Sequence, residues 1–184
     1  MTKQVDLSIV AVTLVLLAPW PAAAQHRHPH AGSVAVGFDV GVYVPDEDFH
    51  TGFLTQGLAE YYLTPNVSLR GTGGWSKTEF KGQSELFLEQ ARGAVNVLFN
   101  WERGLWHPFI TAGGGFYSIR DYRDDSYDPG WVWRTGMNFG GGVEHFSTPS
   151  VTIKVEGVYH WVAENHPRGE PRGFALTAGL KKYF

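Results

Sequence analysis

The chain is 184 residues long, carries a formal net charge of −3 and contains no cysteine. A pI near 6.2 excludes the strongly basic surface that nucleic-acid binding requires, and the lack of cysteine excludes disulfides and thiolate chemistry. A chain of this length is typical of one domain. We therefore expect a single domain without a nucleic-acid partner.

Residues 1–24 have the pattern of a secretory signal peptide. Lys3 precedes an apolar stretch from Leu7 to Ala18, which is too short to cross a bilayer as a helix. Alanines at positions 22 to 24 supply the small residues of a cleavage site, so we expect the mature chain to begin at Gln25. A helical membrane anchor is the alternative interpretation.

A histidine-rich segment, residues 25–32, follows the predicted cleavage site, and we expect it to be flexible. Imidazoles that alternate along an extended chain can bind Zn²⁺, Cu²⁺ or Ni²⁺. A solvated terminus without metal is the simpler interpretation. The candidate metal ligands are His26, His28 and His30.

Eight runs of alternating apolar and polar residues occupy positions 33–184. Each run reaches the length of about nine to eleven residues that a tilted strand needs to cross a bilayer. Short turns alternate with long charged segments, at 45–52, 77–85, 121–130 and 163–171, which is typical of outer-membrane barrels. We predict an all-β, eight-stranded antiparallel up-and-down transmembrane barrel with both termini in the periplasm. The predicted strands are 33–44, 53–63, 66–76, 86–100, 108–120, 131–145, 150–162 and 172–184.

The last run predicts a strand with two different faces. Phe174, Leu176 and Leu180 share one face, whereas Thr177 and Lys181 share the other. A strand without a neighbour leaves unpaired backbone groups at a sheet edge, and closure into a barrel removes that edge. The period of two in the other runs gives the same division, except in the fifth run, where glycines 113–115 leave the faces open.

Charged residues on the predicted inner faces include both acids and bases. Unpaired buried charges are costly, so we expect these residues to form ion pairs. Eight strands make a barrel just wide enough for side chains to fill, so we expect a filled lumen and not a diffusion pore. The predicted lumen network is Glu60, Arg70, Arg92, Arg134, Glu144, Lys154, Glu156 and His160.

Aromatic residues concentrate near both ends of the predicted strands, as the two interfacial belts of a membrane barrel would require. A soluble lipocalin-like barrel with inward aromatics is the alternative. One predicted belt contains Trp75, Trp131, Trp133 and Trp161, and the other contains Phe99, Trp101, Trp106 and Phe184.

Patterns for enzymatic chemistry are weak. Glu156 and His160 share a strand face and could act as an acid–base pair, but charges of this kind also occur in structural networks, which we favour. The acidic residues of segment 121–128 lack the spacing of an EF-hand. The glycine runs do not complete a nucleotide-binding motif. We expect no catalytic residue and no cofactor.

The chain resembles the small outer-membrane β-barrel proteins of Gram-negative bacteria, the OmpA/OmpX-like and opacity or porin-like group. The resemblance rests on the leader, the eight runs, the Gly-Gly-Gly-Val-Glu-His-Phe stretch at 140–146 and the closing residues 179–184. It implies that Phe184 is part of the signal read by the outer-membrane insertion machinery. Lys182 departs from the family pattern, which usually places an aromatic or apolar residue third from the end.

The resemblance also implies a monomer surrounded by outer-membrane lipid and lipopolysaccharide, with a structural or surface-interaction role and a loop ligand that the sequence does not name. A lipid A-modifying enzyme is the competing class. The lipid A deacylases carry His-x-Ser-Asn on the penultimate strand, whereas His160 here is followed by Trp161 and Val162. Basic residues near the predicted loops are candidates for lipid head-group contact. These are Lys77, Lys81, Arg120, Arg123, Arg168 and Arg172.

Overall fold

A computed structural model describes residues 29–46, 50–80, 83–101, 104–121, 131–163 and 172–184. Eight strands form a closed antiparallel barrel in which each strand pairs with its neighbours in the chain and β1 pairs with β8. No helix among the described residues has the length and apolar character needed to cross a membrane. The strands are β1 (Val34–Pro45), β2 (Gly52–Tyr62), β3 (Val67–Phe80), β4 (Gln83–Asn100), β5 (Trp106–Asp121), β6 (Val132–Thr148), β7 (Val151–Val162) and β8 (Gly173–Tyr183).

The predicted fold class is confirmed, but one predicted loop is wrong. The sequence predicted a charged loop over 77–85, whereas β3 runs to Phe80 and β4 begins at Gln83. The strand pairing continues through Lys77, which lies opposite Glu89, and Glu79, which lies opposite Phe87. Opposite charges on paired strands stabilise a sheet, so the charges that suggested a loop belong to a strand pair.

The two barrel faces have opposite chemical character. Outward side chains are large and apolar, and Val95, Met137 and Trp133 expose 65%, 64% and 69% of their surface. Inward side chains include charged residues that are almost fully buried, such as Arg70 and Lys154. A water-soluble barrel would place these two classes the other way round, so the exterior suits hydrocarbon.

Aromatic residues form an exposed belt at each end of the barrel. We call the end where β1 ends and β2 begins the loop side, and the opposite end the turn side. The loop-side belt contains Trp75, Trp131, Trp133 and Trp161, and the turn-side belt contains Phe99, Trp101, Trp106 and Phe184, all of them exposed.

The glycine run in β5 alternates like its neighbours, which settles the face that the sequence left open. Gly113 and Gly115 face the lumen and Gly114 faces out, as their partners Asn96, Ala94 and Val95 on β4 do. A Cβ at Gly113 would lie 2.2 Å from the backbone oxygen of Val95. Only glycine therefore fits at position 113 without a shift of the backbone.

Candidate functional site

The turn-side half of the lumen contains a network of buried ion pairs, which we call the ion network. It begins at Lys181 on β8, which alternation turns inward between Leu180 and Lys182. The Nζ atom of Lys181 lies 3.0 Å from Glu60 and 2.5 Å from Glu144. One lysine of β8 thus forms ion pairs with carboxylates from β2 and β6.

Arg70 on β3 is the centre of the ion network. Its guanidinium contacts three carboxylates, at 3.0 Å to Glu60, 2.8 Å to Glu156 and 3.5 Å to Glu144. The Phe109 ring packs 5.1 Å from the guanidinium carbon. A planar fork of donors suits several carboxylates at once, which a single ammonium group does less well.

Lys154 on β7 connects the ion network to β1. Its Nζ atom lies 2.9 Å from Asp39 and 2.6 Å from Glu156, and the side-chain amide of Gln56 donates to Asp39 at 2.9 Å. Among the described residues, the ion network has four carboxylates, on Asp39, Glu60, Glu144 and Glu156, and three cations, on Arg70, Lys154 and Lys181.

A second buried cluster occupies the loop-side half of the lumen, and we call it the Arg92 cluster. Arg92 donates to Ser76 at 2.9 Å and to Nε2 of His160 at 3.2 Å, and its guanidinium carbon lies 4.7 Å from the Tyr43 ring centre. Because a guanidinium only donates, the ring proton of His160 lies on Nδ1, which donates to the Tyr117 hydroxyl at 2.9 Å.

The structure gathers seven of the eight predicted lumen residues in these two groups. Arg134 is the exception, since it lies half-exposed at the loop side, paired in register with Tyr117. Glu156 and His160, considered as an acid–base pair, bind different partners in different groups. The predicted lumen network lacked Asp39 and Lys181, although the alternation in β1 and β8 places both on the inward face. The sequence had put Lys181 on the polar face of the last strand without including it in the network.

Three of the six basic residues predicted for head-group contact are described. Lys77, Glu89 and Arg120 lie side by side in register across β3, β4 and β5 on the outer face. Lys77 packs 3.8 Å from the Phe87 ring centre. The guanidinium of Arg172 lies 5.3 Å from the Trp161 ring centre. Lys81, Arg123 and Arg168 lie outside the described residues.

The row formed by Lys77, Glu89 and Arg120 lies beside the loop-side aromatic belt, nearer to the loop end of the barrel. One step further from the loop end, the outward residues in register are Trp75, Ala91, Ser118 and Trp133. Charged residues followed by tryptophans mark the level at which a barrel passes from head groups into hydrocarbon.

The described residues include some of the features that were predicted at the two ends of the chain. His30 is exposed, and its Nδ1 atom lies 3.0 Å from the Ala31 carbonyl, whereas His26, His28 and the predicted leader lie outside the described residues. The Phe184 ring is 66% exposed, and the Lys182 ammonium lies 5.4 Å from its centre. Lys182 thus packs along the terminal aromatic on the outer face, with its ammonium near the turn-side belt.

Comparison with known proteins identifies the fold through structure and not through sequence. No protein-family model matches the chain, and no curated protein matches it. The N-terminal β-barrel domain of Pseudomonas aeruginosa OprF has a TM-score of 0.62 at 18% identity, over 85% of this chain and 100% of that domain. Neisserial surface protein A has a TM-score of 0.62 at 14% identity, over 84% of this chain and 97% of that one.

The outer membrane protein OprG from Pseudomonas aeruginosa has a TM-score of 0.66 at 9% identity, over 87% of this chain and 99% of that one. These proteins share the strand number and the closed barrel with the present structure, and the similarity extends along their whole length. The chain therefore has the fold of the small eight-stranded outer-membrane β-barrel proteins.

Proposed function

We propose that the protein is an integral outer-membrane barrel with a structural or surface-interaction role and no catalytic activity. One observation carries this proposal: Lys154 is fully buried in the lumen, whereas Trp133 exposes 69% of its surface on the outside. Such a distribution is stable only when hydrocarbon surrounds the barrel. The three structural neighbours named above, which are outer-membrane barrels, support the same location.

The pairing of the interior charges supports a structural role. A general acid or base has to reach a substrate proton, whereas Glu60, Glu144 and Glu156 each bind cations of the barrel itself. The same pairing reduces the cost of burying these charges. The interior then serves to hold the walls together, and any interaction with other molecules belongs to the outer face and the loops.

We further propose that the barrel is monomeric and that both termini face the periplasm. The backbone amide of Phe184 donates to the Val34 carbonyl at 2.9 Å, so the first and last strands meet at the turn side. A terminal aromatic at this closing edge suits recognition by the outer-membrane insertion machinery. Short connections at the turn side, such as the one between Tyr62 and Val67, agree with the periplasmic orientation.

The loop-side rim supports contact with lipopolysaccharide. Lys77, Arg120 and Arg172 lie around the level of the aromatic belt, where phosphate groups of the outer leaflet would be. Charge-assisted hydrogen bonds to phosphate are the interaction that lysine and arginine favour. Lys81, Arg123 and Arg168 belong to the same proposal through their positions in the sequence.

Cell fractionation combined with heat-modifiability tests the proposed location. The full chain, expressed in a Gram-negative host, is expected in the outer-membrane fraction, with faster migration on a gel when unheated than when boiled. Recovery as a soluble periplasmic protein with one gel mobility would contradict the proposal and favour the lipocalin-like alternative. Mass spectrometry of lipid A from the same cells is expected to give unchanged masses, and a gained or lost acyl chain would favour the enzymatic alternative.

Charge reversal tests the lipopolysaccharide contact separately. The variant Lys77→Glu/Arg120→Glu/Arg172→Glu is expected to lose the increase in thermal unfolding midpoint that added lipopolysaccharide gives the wild type. Lys182→Glu, at the opposite end of the barrel, is the control and should keep that increase. An equal response to lipopolysaccharide in the triple variant would contradict contact at these residues.

A further inference from the structure

A row of residues in register lines the lumen wall between the ion network and the Arg92 cluster and ends at His160 of that cluster. Asn96, Gly113, Asn138 and His160 are neighbours in register on β4, β5, β6 and β7. The amide nitrogen of Asn96 donates to Thr111 Oγ1 at 3.0 Å and also to Asn138 Oδ1. Because Gly113 has no side chain, the two asparagines meet across β5.

The two asparagines leave one donor and one acceptor without a partner. Asn96 Oδ1 and Asn138 Nδ2 are both buried, and neither atom has a partner at hydrogen-bond geometry among the described residues. The side chains themselves are more than nine-tenths buried, at 7% and 3% exposure. Exchanging the oxygen and nitrogen of both amides would still leave one donor and one acceptor, so this result does not depend on the amide assignment.

A cavity of about 20 Å³ lies beside these two amides. A cavity needs about 10–15 Å³ of such volume to hold one water molecule, so this one holds a single small species. Its walls come from six of the eight strands, and its polar lining includes Gln56, Arg70, Asn96, Asn138, Glu156 and His160.

We propose that this cavity is a binding site for one long-lived water molecule. The occupant has to accept a hydrogen bond from one amide and donate one to the other, which water does and a monatomic ion does not. The charged residues of the cavity wall also favour a neutral occupant, because Arg70 repels a cation and Glu156 repels an anion. The water satisfies the two amides and joins the ion network to the Arg92 cluster in the middle of the lumen.

An NMR experiment that transfers magnetisation from water protons to protein protons tests the site directly. It uses isotope-labelled protein folded in micelles or nanodiscs. The side-chain amide protons of Asn96 and Asn138 are expected to show cross-peaks to water. The sign of these cross-peaks should be that of a water molecule that stays bound to the protein for a long time. The number of long-lived waters, counted by ¹⁷O relaxation dispersion, is expected to fall by one in Ala94→Val, which adds methyl groups to the cavity wall. The control is Ala91→Val, on the outer face of the same strand, which should keep the wild-type count.

Two results obtained on the wild-type protein would overturn the proposal. One is the absence of these cross-peaks in the folded wild type, a measurement that needs no variant. The other is an amide chemical shift that follows the concentration of chloride or sodium, since this would assign the cavity to an ion. If Ala94→Val does not fold, Ala175→Val alters another wall of the same cavity and replaces it, and a folded variant with the wild-type water count would also contradict the proposal.

Discussion

The guanidinium of Arg70 on β3 reaches across the lumen to the carboxylate of Glu156 on β7, at 2.8 Å. The two residues are 86 positions apart in the chain and lie on strands that do not pair. Because Arg70 also contacts Glu60 and Glu144, one side chain links β2, β3, β6 and β7. The walls of the barrel are thus connected across the lumen by ion pairs, in addition to the hydrogen bonds within the sheet.

Replacing Arg70 with methionine is expected to destabilise the barrel strongly. The substitution keeps much of the side-chain volume but leaves three buried carboxylates with fewer partners, and breaking a buried ion pair costs about 3–5 kcal/mol. Urea unfolding in detergent micelles measures the loss. Arg134→Met is the control, because Arg134 is half-exposed at the loop side, and equal losses for the two variants would contradict the central role of Arg70.

Lys181 and Lys182 offer a test with two identical side chains on opposite faces of one strand. Lys181→Met removes the cation between Glu60 and Glu144 and is expected to cost about 3–5 kcal/mol of unfolding free energy. Lys182→Met changes an exposed residue on the outer face and is expected to cost less than about 1 kcal/mol. The same urea unfolding assay compares them, and a reversed order would mean that the faces of β8 are wrongly assigned.

Adding one methyl group to β5 is expected to have opposite consequences at adjacent positions. A Cβ at Gly113 would lie 2.2 Å from the Val95 oxygen, whereas the nearest atom to a Cβ at Gly114 is 3.5 Å away. Gly113→Ala is therefore expected to destabilise the barrel by at least about 1–3 kcal/mol, the usual cost of overpacking. Gly114→Ala should be neutral or stabilise slightly. Thermal unfolding followed by heat-modifiability separates the two, and similar unfolding midpoints would contradict this packing.

An arginine on the outer face is expected to be costly only in the middle of the barrel. Val95 is 65% exposed and lies on β4 midway between Phe99 of the turn-side belt and Ala91, which pairs with Trp75 of the loop-side belt. Val34, in contrast, begins β1 at the turn side. Lipid-facing arginine costs about 2–4 kcal/mol at the bilayer midplane and about 0–1 kcal/mol near the interfaces. Val95→Arg should therefore lower the unfolding free energy in phospholipid vesicles much more than Val34→Arg. Equal effects at the two depths would argue against a bilayer around this wall.

The local alternation of residues predicted much of this structure. In β7 it placed Lys154, Glu156 and His160 inside, where the structure has them buried. The same rule put Lys181 on the polar face of β8 and, applied to β1, puts Asp39 on the inward face, so both residues could have been included in the predicted lumen network. Segment 77–85 was misjudged because its charges are typical of loops as well as of paired strands beyond the membrane.

Other features of the structure could not be predicted from sequence patterns. Alternation gives the face of a residue but not its height in the lumen or its partner on a distant strand, so the contact of Arg70 with Glu156 could not be predicted. The division into an ion network and an Arg92 cluster depends on strand tilt and register, which a single strand does not encode. The role of Gly113 depends in the same way on Asn96 and Asn138 from two neighbouring strands.

Quenching of tryptophan fluorescence by phospholipids brominated on their acyl chains tests the central claim most directly. The exposed belts hold Trp75, Trp101, Trp106, Trp131, Trp133 and Trp161 on the outer face of the barrel. If that face contacts hydrocarbon, fluorescence from the protein reconstituted in brominated vesicles should be strongly reduced relative to ordinary vesicles. Unchanged fluorescence, from a protein that also stays monodisperse in buffer without detergent, would contradict a barrel that turns its apolar face to the membrane.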